Sequence, residues 1–382
     1  MPTCEEAAFL FSGWTHLLSH GNAQQVKRFV ITLSFAASLS AQEEPPQLDP
    51  PTPARVLPPA PQPKAPSLIA VARDEAAIQG FDENPAATRR MVEQLVKSAT
   101  GCATTAEAWR SLVAPSDRVG IKVSTAGGRY FSTRRGVVVA VVDGLKMAGV
   151  PGKNIFVWDR DAVALREAGF TEERLGCTVR GIDQPKGWDR EDALVAPVLG
   201  ELIWGDLQFT ERVVALDRTD GDQLSSKSHV CKILSRDATK WINIPALSDA
   251  PGLGVHGAFY SAVVANVDNW RRFTTAGPGG ALALPDMFAD PRIGGKCALH
   301  ILDALMITFA GGPGPNPQYA AKHSTLYASK DPVALDATGV RLIDQLRLSV
   351  NLPILGPKST WLQSAETVGN FAESMIRFST AK

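Results

Sequence analysis

Asp117 to Asp159, DRVGIKVSTAGGRYFSTRRGVVVAVVDGLKMAGVPGKNIFVWD, is the stretch whose reading decides the fold. Asp117–Ser124 (DRVGIKVS) reads as a strand buried on at least one face. A Gly-containing loop follows (Thr125, Ala126, Gly127, Gly128, Arg129), with Ser132 and Thr133 placed to cap a helix. Val137–Ala148 is apolar nearly all round, as a covered helix would be, and Gly149 ends it. Asn154–Asp159 (NIFVWD) is the next strand. A strand, a covered helix and a second strand in this order make a βαβ unit, and such units pair their strands in parallel.

The pattern extends in both directions. Upstream, Leu68–Arg73 (LIAVAR) suits a strand, and Pro85–Ala99 spaces Met91, Val92, Leu95 and Val96 as a helix does. Downstream, Val163–Ala168 reads as a helix, and Trp241–Ile244, Leu299–Phe309 and Thr325–Ala328 as strands. Asp331-Pro332 opens a helix that runs through Gln345. Residues 177–240 are less regular, with strand candidates at Thr178–Ile182 and Phe209–Leu216. The expected fold is α/β, a mixed or mostly parallel sheet flanked by helices in three layers, within one domain from about residue 67 to Lys382.

The first 66 residues stand apart from that domain. Lys27 and Arg28 precede Phe29–Ala41 (FVITLSFAASLSA), an apolar run of thirteen residues ending in small side chains. Spanning a bilayer takes about 20 apolar residues, so the run reads as the core of a secretory signal within residues 1–41, cleaved near Ser40 or Ala41. Residues 1–25 are long for the front of such a signal, and translation is expected to begin near Val26. Glu44–Pro66 contains ten prolines and little to bury, so residues 42–66 read as a Pro-rich linker. The expected location is the periplasm or outside the cell, with no membrane span in the mature chain.

Composition narrows the function classes. Lys plus Arg equals Asp plus Glu at 39 each, which gives no electrostatic ground for nucleic-acid binding. Cys102, Cys177, Cys231 and Cys297 contain no C-x-x-C pair, so no iron–sulfur or zinc-ribbon motif is present and no cofactor is predicted. One or two disulfides or buried free thiols both fit.

Four segments carry candidate chemistry. Gly127, Gly128 and Arg129, with Ser132, Thr133, Arg134 and Arg135, lie between a strand and a helix, where free amides and guanidinium groups suit a small molecule or anion. They match neither nucleotide-binding glycine motif, and a tight turn beside a solvated basic face reads as well. Asp159-Arg160-Asp161 closes a strand at the edge where open α/β sheets hold ligands, though such residues also cap helices. Asp331 is expected as a helix cap, and Asp336 one turn later favours the positive end of that helix. Asn243–Arg272 holds Asp249, His256 and Tyr260, and none of the histidines stands in a zinc-binding spacing. Asp159, Asp249 and His256 are the catalytic candidates, and no metal ligand set can be read.

These pieces together resemble the domain of unknown function 362 family. VGIKV at Val119–Val123, Ser132-Thr133, VWDR at Val157–Arg160, INIP at Ile242–Pro245, GGPG at Gly311–Gly314 and DPVALD at Asp331–Asp336 occur in that family's order. The resemblance covers nearly all of residues 67–382 and implies an α/β fold without implying an activity. Where relatives carry Leu-Lys-Asp-His, this chain has Leu247, Ser248, Asp249 and Ala250. A Lys-Asn pair falls at Tyr260 and Ser261, an Asn at Ser124, and histidines at Arg134 and Thr274. Replacing Lys by Ser or His by Ala removes the titratable atom.

Two functions follow from these departures. One is an exported small-molecule or anion-binding protein whose catalytic groups have eroded. The alternative is a metal-assisted or redox enzyme working in a pocket at the sheet's C-terminal edge. The export expectation has a direct check: mass spectrometry of secreted protein should place the N-terminus near Gln42. A peptide from residues 1–25 in that material overturns it.

Overall fold

The computed structural model describes residues 67–182, 186–194, 228–250, 252–270, 273, 274, 283–359, 361, 362, 365 and 376–380. The apolar run 29–41, the Pro-rich linker, residues 1–25 and the strand candidate at 209–216 lie outside the described residues.

Ten strands form the main sheet. In chain order they are β1 (Ser67–Arg73), β2 (Val119–Val123), β3 (Ile155–Asp159), β4 (Thr178–Gly181), β5 (Lys240–Ile244), β6 (Ala246–Ala250), β7 (Gly254–His256), β8 (Cys297–Thr308), β9 (Ala320–Ser329) and β10 (Ile376–Thr380). Across the sheet the order is β10-β1-β9-β8-β5-β2-β3-β4, with β6 joining β8 and β7. The run β8-β5-β2-β3-β4 is parallel throughout, and β9 lies antiparallel to both β1 and β8. The sheet is therefore mixed and mostly parallel, as the βαβ reading of Asp117–Asp159 requires.

Side-chain alternation divides the core in two. Val119, Ile121 and Val123 of β2 face one side with Ile155, Val157, Ile242 and Ile244. That side is covered by α1 (Pro85–Thr100), α2 (Thr105–Leu112), α3 (Arg135–Met147) and α4 (Ala162–Glu167). The other side carries Phe156, Trp158 and Trp241, covered by α5 (Ala258–Ala262) and α6 (Pro332–Ser349). Helices on both faces make the three layers. Trp158 meets Trp241 edge-on at 5.8 Å between ring centroids.

β2 is the switch in strand order. From it the chain moves to β3 and β4 on one side, whereas β5 and β8 lie on the other. The connection after β2 runs through α3 on one face, and the one after β5 passes through α5 on the opposite face. Connections leaving by opposite faces are the pattern that places a ligand crevice at the carboxyl ends of the strands in such sheets, here beginning at β2.

The ends of α3 and α6 correct two expectations. Ser132 and Thr133 do not cap α3, whose N-cap is Arg134 without a side-chain cap bond. The Asp303 carboxylate accepts the Arg134 amide at 2.7 Å and Glu83 accepts the Gly136 amide at 2.9 Å, so acidic groups from elsewhere answer the positive helix end. The Thr133 hydroxyl instead accepts from the Ser124 amide at 2.9 Å and donates to the Ile244 carbonyl at 2.6 Å, splinting β2 to β5 at the crevice. Asp331 does cap α6, through the amides of Val333 and Ala334. Asp336 serves a different helix: it accepts the Ala258 amide at 2.5 Å and the Phe259 amide at 3.1 Å, holding the start of α5. The four described cysteines Cys102, Cys177, Cys231 and Cys297 are free thiols.

Gly120 admits the aromatic layer. A Cβ there would lie 2.6 Å from the Trp158 ring and 2.9 Å from that of Phe156. Gly120→Ala should therefore lower unfolding stability by roughly 1–3 kcal/mol. Urea unfolding of the full chain measures this, and an unchanged or higher midpoint contradicts the packing described.

Candidate functional site

A cavity of about 190 Å³ opens at the carboxyl ends of β2 and β3. Its floor is Lys122, the fourth residue of β2. Alternation sends Lys122 to the aromatic face of the sheet, opposite Ile121 and Val123, and it is only 1% exposed. A bare ammonium there would be very costly, so its partners decide the site.

Asp159, at the end of the neighbouring β3, supplies the counter-charge. Its Oδ1 accepts from Lys122 Nζ at 2.7 Å and from the Arg160 amide at 2.7 Å. Its Oδ2 accepts from the Thr125 amide at 2.8 Å and the Thr125 hydroxyl at 2.5 Å. Burial pushes the Asp159 carboxyl up, but the Lys122 charge and hydrogen bond, with those from Thr125 and Arg160, hold it below the usual carboxylate range. Lys122 Nζ also donates to the Val123 carbonyl at 2.7 Å, which leaves its third N–H without an acceptor among the described residues.

Ser124 also lines this cavity, and its buried hydroxyl has no hydrogen-bond partner among the described residues. His256, Tyr260 and Trp270 also line it. The His256 and Tyr260 rings lie 4.2 Å apart between centroids, tilted by 43°. His256 Nδ1 sits 3.3 Å from the Ala246 carbonyl, an acceptor, so that nitrogen carries the proton and Nε2 keeps a lone pair. Burial is the main reason the His256 pKa falls to about 4, so the ring is neutral at pH 7. Burial likewise pushes the Tyr260 hydroxyl up to about 12. Arg160 fixes the aromatic wall: its guanidinium lies over Trp188 at 4.9 Å and Trp270 at 5.6 Å, and it donates to the Val267 carbonyl at 2.8 Å.

Of the residues singled out from the sequence, Asp159 and His256 meet in this cavity. Asp249 does not line it. Its carboxylate accepts the amides of Gly311 and Gly312 at 3.1 and 2.6 Å, with the Arg347 guanidinium 3.7 Å away, and so ties down the loop whose Pro313 forms part of the wall. The anion loop is not assembled as expected. Gly127 and Gly128 start a single turn ending at Phe131, and the exposed Arg129 guanidinium rests 5.4 Å from the Tyr130 ring centroid. Ser132 is buried, its hydroxyl without a described partner, and Thr133 is the strand splint. The loop residues that reach the cavity are Ser124, Thr125 and Ala126, just upstream.

Lys122 and Trp270 are site residues that the sequence pattern did not single out, and Tyr260 stood out only as a member of the Asn243–Arg272 stretch. A Lys inside an apolar strand, followed by a second strand ending in Asp-Arg-Asp, was the available sign of the first. The aromatic pair needed the fold. Among the described residues, no group of three or more His, Cys, Asp or Glu side chains is placed to hold a metal ion, and no described helix is long and apolar enough to cross a membrane.

No family model matches the sequence, and no curated protein matches it. Among solved structures, the crystal structure of a protein from Thermotoga maritima is similar at 12% identity and a TM-score of 0.38, over 72% of this chain. The chain spans 61% of the length of that protein, and a likeness of this size carries no argument.

The neutral His256 makes a pH prediction. Between about 4 and its unfolded value of 6.5 the unfolded chain binds a proton that the folded protein does not, so folding stability falls as the pH is lowered through this window. The loss from this one ring is on the order of 3 kcal/mol. His256→Gln should flatten the slope of unfolding free energy against pH between those values, as read from urea titrations. An identical slope in both proteins contradicts a buried neutral ring.

Proposed function

We propose that this chain is an exported protein that binds a small molecule in the cavity over Lys122 and Asp159. The observation that carries the reading is the placement of that cavity. It lies at the carboxyl edge beside the switch in strand order, where an α/β sheet offers a ligand site without further construction. One wall is aromatic, and the polar atoms on the floor include the unpartnered Ser124 hydroxyl. Buried polar atoms normally find partners, so one left open in a cavity suits a group supplied by a ligand.

The likeness to the domain of unknown function 362 family belongs to the same proposal. Its phrases surround the cavity: VGIKV brings Lys122, VWDR brings Asp159 and Arg160, GGPG brings Pro313, and DPVALD brings Asp336 to the start of α5. Two positions where the chain departs from that pattern, Ser124 and Tyr260, line the cavity. Both carry weakly acidic hydroxyls in place of the expected groups, which supports binding with eroded catalysis. The export half of the reading rests on Phe29–Ala41 and the Pro-rich stretch after it.

A metal-assisted or redox enzyme is the second reading, favoured by the His256 Nε2 lone pair on a cavity residue. The two are separated on the purified full chain. In the binding reading, a one-ring compound such as phenol raises the unfolding temperature, by about 2.7 kcal/mol of stabilisation at a hundredfold excess over Kd. Ala126→Trp, at an exposed position on the cavity rim, should abolish that rise while leaving the ligand-free Tm in place. No rise with any one-ring compound, together with stoichiometric metal that His256→Ala removes, supports the enzyme instead.

A further inference from the structure

The cavity's donors and acceptors define a ligand more narrowly than its volume does, and the ligand class they select rests on the binding function proposed for this cavity. A cavity of about 150 Å³ holds one benzene ring, so about 190 Å³ takes one six-membered ring and one small substituent. His256, Tyr260 and Trp270 give that ring flat partners.

Charge selects next. Lys122 and Asp159 cancel each other, Arg160 and Asp161 add one charge of each sign to the lining, and both Asp159 oxygens already accept two hydrogen bonds each. Asp159 therefore has no acceptor capacity to offer a cationic ligand. Its negative charge sits beside the Lys122 ammonium on the floor, which disfavours a carboxylate ligand as well. His256 adds no charge at neutral pH. A neutral ligand leaves no charge uncompensated in the cavity.

Hydrogen bonding selects last. The donors open among the described residues include the third N–H of Lys122 and the Ser124 hydroxyl, near each other in sequence at the end of β2, and the Tyr260 hydroxyl on the aromatic wall. His256, another lining residue, bonds the Ala246 carbonyl through Nδ1 and so has Nε2 left as an acceptor. We propose that the site recognises a small planar amide or lactam, one ring bearing a carbonyl that accepts from Lys122 and Ser124 and an N–H that donates to His256. The carbonyl satisfies both floor donors, and the amide N–H reaches the imidazole without any proton transfer. Such a group matches the two floor donors and the imidazole acceptor in sense, and its ring lies against Tyr260.

Four ring compounds of similar size test this by calorimetric titration of the full chain: benzamide, acetophenone, benzoate and ethylbenzene. Benzamide should bind tightest. Acetophenone, lacking the N–H, should be roughly fivefold weaker, and ethylbenzene weaker again by about thirtyfold, as expected for losing one net hydrogen bond at the first step and two at the second. Benzoate should be weaker than benzamide despite its stronger acceptors. Ser124→Ala, which leaves the Lys122–Asp159 pair untouched, should weaken benzamide and acetophenone about three- to tenfold and ethylbenzene not at all. His256→Phe should bring benzamide down to the acetophenone level. Ethylbenzene or benzoate binding as tightly as benzamide overturns the amide assignment while leaving the pocket reading intact. The absence of binding by all four overturns both.

Discussion

A lysine buried in the middle of a strand constrains everything around it. Removing Lys122 from water is tolerable only because Asp159 meets it at 2.7 Å and is itself fully hydrogen-bonded. Such a pair contributes little net stability, since desolvation offsets most of the attraction, yet removing one partner leaves an unpaired buried charge and costs about 3–5 kcal/mol. The pair acts mainly as a geometrical restraint. It ties the end of β3 to the middle of β2, and through the Thr125 amide it folds the loop after β2 back over the sheet. The Thr133 splint then fixes that loop to β5. Two short networks thus set the floor and one side of the cavity before any ligand arrives.

Four other buried carboxylates act similarly at other chain ends. Asp249 holds the Gly311–Pro313 loop, Asp303 the start of α3, Asp331 the start of α6 and Asp336 the start of α5. Each answers backbone amides that would otherwise lie buried without partners. Their environments are dry enough to show in protonation: burial pushes Asp303 up to about 6 and Asp336 up to about 7. A raised carboxyl of this kind opposes the histidine effect, because folding then becomes less favourable as the pH rises from its unfolded value toward the folded one. The acidic residues that look catalytic in the sequence are thus largely fasteners. Gly257 shows how close the fastening is, since a Cβ there would lie 2.1 Å from an Asp336 oxygen.

Strands and helices with a strong local period were legible in the sequence. β2, α3 and β3 follow from apolar spacing and Gly149, and α6 follows from Asp331-Pro332. β6, β7 and α5 were not legible, because Ala246–Ala250 and Gly254–His256 are short, carry polar residues inside and pair through the tertiary fold. Site residues divide along the same line. Asp159 was visible as the last residue of a strand, whereas Lys122 reads as an ordinary strand position until β3 places Asp159 beside it. Ser132-Thr133 misleads for a physical reason: a cap motif predicts local hydrogen bonds, and here Asp303, 169 residues along the chain from Arg134, takes the amide instead.

The same cross-strand logic bears on Ser248. Ser248 of β6 stands opposite His256 of β7 in the antiparallel pair, on one face of the sheet. Directly opposed side chains have Cβ atoms about 4.5–5.5 Å apart. An ammonium at position 248 would compete with the imidazole for the same space and would bring a second positive charge toward Lys122. Serine removes both conflicts. A neutral imidazole and a short neutral hydroxyl can share that row, whereas an ammonium could share it only with a further carboxylate, and the nearest candidate, Asp249, is already bound to the Gly311 and Gly312 amides. A short neutral side chain at position 248 and a buried, uncharged His256 are therefore two sides of one electrostatic arrangement.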